Sequence, residues 1–483
     1  MAKKGNRQVP AKKRRAPATS RRTKNRRGGK RTRKAMDPAE RKARNRTVLL
    51  LGLLAAVNAY VFLWRGEGSL ADLSVQKAAV IGSRGGGPLG TYAEPPADAC
   101  GSGSSLRIFA GLGDLLRAET NLRGDRDLEA ALRHLGVAQT SISGAVTAIR
   151  PVFDLALLRD SNTPLRIASD RFGGLQALEL ELGEGHVLQA CRGADDSYTV
   201  RTLQHPPSTD VAVIDLELGR DADLLKAIAD AGEAPELADR IAEALAYDVD
   251  LLTDARPHDA IKVVVEKRFL GRAFHRYGPV LGIRFAGEAA NVTYLRHRPA
   301  GGEAELFTRE GEPRRRQLRR TPVGFHRVSP EARGLLEPTL EVITGRTGAM
   351  FRRPEGAPVV ALADAVVRAA GEAGDAGQVL ELELDGDLYV RYAHLARVVG
   401  DLRPGDRVRA GELVGLAGHS GKTASDRVRL EMWREEGGEA AMLDPLFIQA
   451  NGDGRPPRIG APLEGDDLDR FREDTISLRR LLR

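Results

Sequence analysis

An uncharged apolar run divides this 483-residue chain into two parts of opposite charge. Residues 47–64, TVLLLGLLAAVNAYVFLW, contain no charged side chain, and as a helix they would reach about 27 Å across a bilayer core of about 30 Å. Residues 1–46 hold 20 Lys and Arg and only two acids. Because positive flanks stay in the cytoplasm, the pattern predicts a single transmembrane helix with residues 65–483 outside. A cleaved signal peptide is the alternative, but its charged region would be unusually long.

Charge and cysteine content narrow the function classes further. The whole chain carries a net charge of +8, and the basic tail carries +18, so the remainder carries −10. The tail has no interleaved aromatic residue, so it could touch lipid headgroups or nucleic acid by charge alone, and no specific nucleic-acid binding is expected. With only two cysteines, a disulfide-dense scaffold is excluded. Cys100 and Cys191 either form one disulfide or remain thiols.

The part after the apolar run contains an internal repeat. Two segments beginning at Leu128 and Leu224 align without gaps at an offset of 96 residues, and this alignment places Gly136 on Gly232. Each copy has the pattern of an amphipathic helix, a glycine stop, a second helix and then strands. The repeat predicts a duplicated α+β module, because two copies are too few for a solenoid.

The C-terminal part has the pattern of a β domain. Residues 379–394, VLELELDGDLYVRYAH, predict two strands joined at Asp385-Gly386, and the glycine-punctuated run DLRPGDRVRAGELVGLAGHSGK follows. The strand RVRLEMW comes next. The last residues, ending in DDLDRFREDTISLRRLLR, predict a short amphipathic helix that docks onto its own domain in preference to a partner.

These stretches resemble the LytM domain of M23-family zinc endopeptidases, which cut peptidoglycan cross-links. The matching segments include PEGAPVVALADAVV, YVRYAHL, PGDRVRAGELVGLAGHSG and RVRLEMW. The upstream part is similar to longer cell-shape endopeptidases of that family. The implied fold class is a single transmembrane helix, α+β repeat domains and a mainly β LytM (M23-type) domain. The predicted segments are a basic tail (1–46), the membrane helix (47–64), a Gly/Pro linker (65–105), the two repeat domains (106–205 and 206–320), the LytM-like domain (321–450) and a C-terminal tail (451–483).

The metal-binding motifs of that family are altered here. The resemblance implies that zinc is bound by the His and the Asp of an HxxxD motif and by the second His of an HxH motif. A fourth position on the zinc ion stays open for water. In this sequence the first window is RTGAM, with Arg346 and Met350 at the ligand positions, and the second is RVR, with Arg427 and Arg429. Only His394 matches a family histidine, one that aids catalysis in relatives. We therefore expect zinc to be lost and no cofactor to be bound.

The altered motifs allow three outcomes at the level of sequence. An active peptidase would require a rearranged metal site formed by His394, His419 and an acid such as Asp364 or Glu431. Alternatively, Arg346, Arg427 and Arg429 converge and form an anion-binding groove for a peptidoglycan carboxyl or an acidic partner, with Glu431 satisfying one arginine. Otherwise the arginines extend into solvent and the groove binds nothing.

The sequence therefore predicts a catalytically inactive, membrane-anchored LytM-like protein of peptidoglycan remodelling. The first hypothesis is that it regulates or activates a cell-wall hydrolase, such as an amidase at cell division, or binds peptidoglycan through the former active-site groove. An active M23 metalloendopeptidase with a rearranged site is one alternative, and a passive wall-binding scaffold is the other. The expected location is the bacterial inner membrane, single-pass, with the N-terminus cytoplasmic and the C-terminal domains periplasmic.

Overall fold

The computed structural model describes most of the chain from residue 107 onward. The described residues are 107–483 without 110–111, 113–114, 123–126, 159–161, 329–331, 333–334, 344, 424, 438 and 447–455. The predicted basic tail, membrane helix and linker therefore lie outside the described residues, as does Cys100. No helix within the described residues is long and apolar enough to cross a membrane. Cys191 is disulfide-bonded, and its pairing with Cys100 stays a prediction.

A first module combines an antiparallel sheet with two helices. Its sheet has the order β1-β2-β3-β4-β5. The elements are β1 (Leu116–Asn121), α1 (Leu128–His134), α2 (Gln139–Ile149), β2 (Pro164–Ser169), β3 (Leu175–Gly183), β4 (His186–Arg192) and β5 (Tyr198–Gln204). Apolar residues of both helices and of β2–β4 form one buried cluster, so the helices cover one face of the sheet.

A second module repeats this arrangement. Its sheet has the order β10-β9-β8-β7-β6. The elements are β6 (Pro207–Glu217), α3 (Leu224–Asp230), α4 (Leu237–Leu245), β7 (Ala260–Leu270), β8 (Ala273–Ala286), β9 (Asn291–His297) and β10 (Glu305–Thr308). The first helix of each module starts at the aligned position, capped by Asp127 in one and Asp223 in the other. An aspartate at this position satisfies backbone N–H groups of the first turn, which is why both helices begin there.

The glycines that end the two helices differ in their surroundings. Gly136 and Gly232 both have a left-handed backbone, with φ of 76° and 72°, a conformation that costs other residues about 1–2 kcal/mol. A Cβ atom at Gly136 would lie 2.5 Å from Cγ1 of Val399 in the C-terminal domain, whereas nothing lies within 4 Å of one at Gly232. Gly136 therefore serves both the helix end and the contact between domains.

This difference gives a matched pair of substitutions. We expect Gly232→Ala to lower the free energy of unfolding by about 1 kcal/mol through backbone strain alone. Gly136→Ala should cost about 1–3 kcal/mol more, because the added methyl group overpacks the contact with Val399. Urea unfolding of both variants measures the difference. Equal losses would contradict a packing role for Gly136.

The C-terminal domain is built on a third, larger antiparallel sheet. Its main path is β11-β12-β19-β16-β15-β14-β17, with β13, β18 and β20 pairing from the side. The elements are β11 (Thr339–Ile343), β12 (Arg346–Arg352), β13 (Pro358–Val360), β14 (Ala365–Glu372), β15 (Gln378–Leu384), β16 (Leu388–Val398), β17 (Arg407–Val408), β18 (Leu413–Ala417), β19 (Arg427–Glu436) and β20 (Glu439–Leu443). The mainly β character expected for this domain is confirmed.

The C-terminal segment packs on the second module, whereas docking onto its own domain was expected, and it forms two helices instead of one. These are α5 (Gly465–Asp474) and α6 (Ile476–Leu481). Phe471 and Leu482 are fully buried in a cluster with residues of β7, β9 and β10. The break falls at Thr475, whose hydroxyl donates to the carbonyl of Phe471 at 2.6 Å. Such a bond back along the helix competes with the regular backbone ladder and bends the helix.

Candidate functional site: an arginine-rich sheet face

Three neighbouring strands present one polar face of the C-terminal domain. Side chains alternate along a strand, and Phe351, Val428 and Tyr392 point into the apolar core. We call the opposite side of β12, β19 and β16 the polar face. Its residues are Arg346, Gly348, Met350 and Arg352 on β12, Arg427, Arg429, Glu431 and Trp433 on β19, and Tyr389, Arg391 and Ala393 on β16.

The register of the strands brings together three residues that the resemblance assigns to metal positions. Met350 lies directly opposite Arg429 on the neighbouring strand. The Nη1 atom of Arg429 is 3.8 Å from the sulfur of Met350. Its Nη2 atom donates to the backbone carbonyl of Arg346 at 2.7 Å. The guanidinium of Arg429 thus lies among the residues that the resemblance assigns to the ligand positions.

Glu431 is the anion at the centre of this cluster. Its Oε1 atom accepts from Nε of Arg429 at 2.8 Å, and its Oε2 atom accepts from Nε of Arg346 at 2.7 Å. Arg391, directly opposite on β16, places Nη1 at 3.5 Å from the same Oε2. Burial alone would raise the pKa of the Glu431 carboxyl, but hydrogen bonds from Arg429 and Arg346 outweigh it and hold that pKa below its ordinary value. The sequence predicted one arginine partner for Glu431, and the structure gives it three.

Gly348 leaves room for the guanidinium of Arg429. A Cβ atom at this position would lie 2.8 Å from Cζ of Arg429. Because a side chain here would displace the guanidinium, the glycine is needed for the pairing of Arg429 with Glu431.

Arg427 stands apart from this network. Its Nη2 atom donates to the Ser425 hydroxyl at 2.7 Å, and its Nε atom donates to the Ser425 carbonyl at 3.2 Å. On β12 it faces Arg352 directly. Of the three arginines proposed for a groove, the structure therefore groups Arg346 with Arg429 and leaves Arg427 beside Arg352.

An aromatic stack continues the polar face beyond Glu431. The rings of Trp433 and Tyr389 are nearly parallel with centroids 5.6 Å apart. Arg346 covers the Trp433 ring at 5.0 Å, and Arg368 covers the Tyr389 ring at 4.5 Å. Such cation–π contacts hold guanidinium groups over ring faces. This stack was not predicted from the sequence, although alternation along RVRLEMW places Trp433 on the side of Arg429.

His394 is retained in a buried and constrained position. It is 4% exposed, and its φ of 60° is uncommon for a residue other than glycine. Its Nδ1 atom donates to the carbonyl of Ser420 at 3.0 Å, so the neutral ring keeps its lone pair on Nε2. Burial lowers the pKa of His394, the Ser420 carbonyl opposes this, and the charges of Arg427 and Arg429 lower it further.

The residues that the resemblance assigns to the ligand positions do not fit zinc. Guanidinium groups offer donors but no lone pair, and the buried carboxylate of Glu431 beside them is paired with arginines. The rearranged set is also spread out: His419 lies 3.3 Å from Asp426, and Asp364 pairs with Arg315 at 2.7 Å. Within the described residues there is no group of three or more His, Cys, Asp or Glu that could hold a metal ion.

One protein-family model matches the C-terminal domain. Residues 344–442 match the model described as Peptidase family M23. The chain carries an M23 domain. The resemblance seen in the sequence is thereby confirmed, and the three strands of the polar face lie within the matched residues.

Relatives extend the similarity beyond the M23 domain. The peptidoglycan DD-endopeptidase ShyA of Vibrio cholerae is 22% identical over 316 residues, which are 65% of this chain and 71% of ShyA. ShyC of the same organism is 22% identical over 192 residues, and the match spans only 43% of its length. Among solved structures, Csd3 of Helicobacter pylori is 17% identical with a TM-score of 0.27, covering 66% of this chain and 83% of that one.

Proposed function

We propose that this protein is a catalytically inactive M23-like component of peptidoglycan remodelling. The observation that carries the proposal is the network in which the Arg429 guanidinium lies against Met350 and pairs with Glu431. A cation among these arginines would meet repulsion of about 1 kcal/mol from each charge at ~4 Å even in water-like surroundings, and more when buried. The site therefore lacks the Lewis acid and the activated water on which M23 hydrolysis depends.

The proposed role is regulation of a cell-wall hydrolase or binding of peptidoglycan through the polar face. The relatives ShyA and ShyC are named as peptidoglycan endopeptidases, which supports the same polymer as the ligand of this chain. The apolar run at residues 47–64 and the basic residues before it support an anchor in the inner membrane, with the M23 domain in the periplasm.

Zinc content of the full-length protein tests the loss of catalysis. We expect less than about 0.1 zinc per chain after zinc loading and desalting, because the ligand positions hold arginine and methionine. Elemental mass spectrometry measures this, with an M23 endopeptidase that has intact ligands as the positive control. One zinc per chain together with cleavage of purified peptidoglycan would overturn the proposal and establish a rearranged active site.

Regulation and passive binding are separated by a second assay. A regulator increases the rate at which a purified amidase solubilises peptidoglycan, whereas a scaffold binds the polymer without changing that rate. Dye release from labelled sacculi, with and without the full-length protein, measures the rate directly. An unchanged rate together with binding to sacculi would assign the scaffold role.

A further inference from the structure

Two arginines at one end of the polar face lie directly opposite each other. Arg352 ends β12, Arg427 begins β19, and the two are partners in the register of these antiparallel strands. Side chains at such positions are close neighbours on one face of a sheet, and like charges there repel. Arg352 is exposed and Arg427 is partly exposed, so both can be reached by a ligand.

These two arginines lack the internal counter-ion that the other arginines of the face possess. Arg346 and Arg429 bind Glu431, and Arg391 binds Glu381 with its Nε atom at 2.6 Å. Among the described residues, no carboxylate forms an ion pair with Arg352 or Arg427. Ser425 engages Nε and Nη2 of Arg427 and offers no negative charge. The positive charge at this end of the face is therefore uncompensated.

A loop of the first module contacts the segment that follows β12. Arg171 in this loop lies 3.5 Å from Glu355, and its carbonyl accepts from Nε of Arg397 at 3.1 Å. The nearby carboxylate of Glu355 is thus engaged with Arg171. The next residue, Phe172, is 72% exposed, and the Arg171 guanidinium lies over its ring at 4.8 Å.

We propose that Arg352 and Arg427 together bind a peptide carboxylate, the C-terminal carboxylate of a peptidoglycan stem peptide. Paired guanidinium groups match the geometry of a carboxylate, which they bind through parallel N–H···O hydrogen bonds. A terminal carboxylate supplies the negative charge that this end of the face lacks. The inference rests on the proposed function. It places recognition of the ligand at Arg352 and Arg427, which lie outside the network around Glu431.

A tripeptide and its amide test this assignment on the full-length protein in detergent. The probes are diacetyl-lysyl-D-alanyl-D-alanine as the free acid and the same compound with a C-terminal amide. Calorimetry should show that the acid binds and that the affinity of the amide is lower by about tenfold or more, because the amide cannot form the charge-assisted bonds. Arg352→Gln combined with Arg427→Gln should weaken binding of the acid to the same extent.

Arg434→Gln is the matched control. Arg434 lies on β19 as an exposed arginine, but at an alternate position on the other side of the sheet. This variant should bind the acid as the unmodified protein does, and a melting curve should show that all three arginine positions tolerate glutamine.

The outcomes separate this inference from the proposed function. The carboxylate site is overturned if the acid and the amide bind equally, or if the double variant binds the acid as the unmodified protein does. In that case, binding to sacculi without bound zinc would still leave the proposed function intact. Loss of an acidic protein partner in the double variant, with the tripeptide unbound, overturns the stem peptide as ligand. Zinc uptake with peptidoglycan cleavage would instead overturn the proposed function itself.

Discussion

Glu431→Gln is expected to lower the free energy of unfolding at neutral pH by about 3–5 kcal/mol, the usual range when one partner of a buried ion pair is removed. Glu431 is 5% exposed, and Arg429 beside it is 3% exposed. Without the carboxylate charge, Arg346, Arg391 and Arg429 would repel one another in a site that excludes most water. The amide of glutamine keeps the volume of the side chain, so the effect isolates the charge.

The pH dependence of this effect has a definite sign. Hydrogen bonds from Arg429 and Arg346 overcome desolvation and lower the pKa of Glu431 in the folded protein from its ordinary value of 4.5. A carboxyl with a lowered folded pKa contributes stability that is complete above the unfolded pKa. That contribution is lost as the pH falls below 4.5 through the folded pKa. The stability difference between the protein and Glu431→Gln should therefore shrink on acidification.

Glu383→Gln serves as the control for this variant. Glu383 is an exposed residue of β15 in the same sheet, and surface substitutions of this kind usually change stability by less than about 0.5 kcal/mol. Urea unfolding at pH 7 and at pH 4 measures both variants. If both variants have the same free energy of unfolding at pH 7, Glu431 is not the counter-ion of Arg346, Arg391 and Arg429.

Local patterns in the sequence predicted the elements of the repeat well. The first helix of each module starts at Leu128 or Leu224 and ends before Gly136 or Gly232, because capping and glycine stops are local signals. What each copy contacts could not be predicted. Asp154 is exposed, whereas the aligned Asp250 is buried, and this difference arises from a distant segment of the chain.

The sequence could not predict which residues of neighbouring strands lie side by side on the polar face. Alternation along RVRLEMW places Arg427, Arg429 and Glu431 on one side of a strand, but the neighbours across the sheet depend on strand order. Arg352 and Arg391 were missed for this reason. The turn at Asp385-Gly386 also differs: Leu384 pairs with Leu388, so the loop includes Asp387, which joins Gly386 at positive φ.

A buried ion pair links the M23 domain to the second module. Arg353 is fully buried, and its Nη2 atom lies 3.3 Å from Oδ2 of Asp250. Its Nη1 atom donates to the carbonyl of Leu336 at 2.8 Å. Burial lowers the pKa of the Arg353 guanidinium, and the charge of Asp250 opposes this change.

Arg353→Met is expected to destabilise the protein by about 3–5 kcal/mol, because it leaves the Asp250 carboxylate buried without its counter-ion. Asp250→Asn should cost a similar amount, because the Arg353 guanidinium cannot lose its proton and stays buried without a counter-ion. The amide oxygen can still accept from the backbone N–H of Leu252, as the carboxylate does at 2.9 Å. Combining both changes should recover part of the loss, because no unpaired charge remains in the contact.

Asp154→Asn is the control that the repeat provides. Asp154 makes the equivalent turn bond, accepting from the backbone N–H of Ala156 at 2.9 Å, but it is exposed. Its substitution should change stability by less than about 0.5 kcal/mol. A double-mutant cycle on Asp250 and Arg353, measured by urea unfolding, gives their coupling energy. Strict additivity of the two single changes would show that the pair does not couple the second module to the M23 domain.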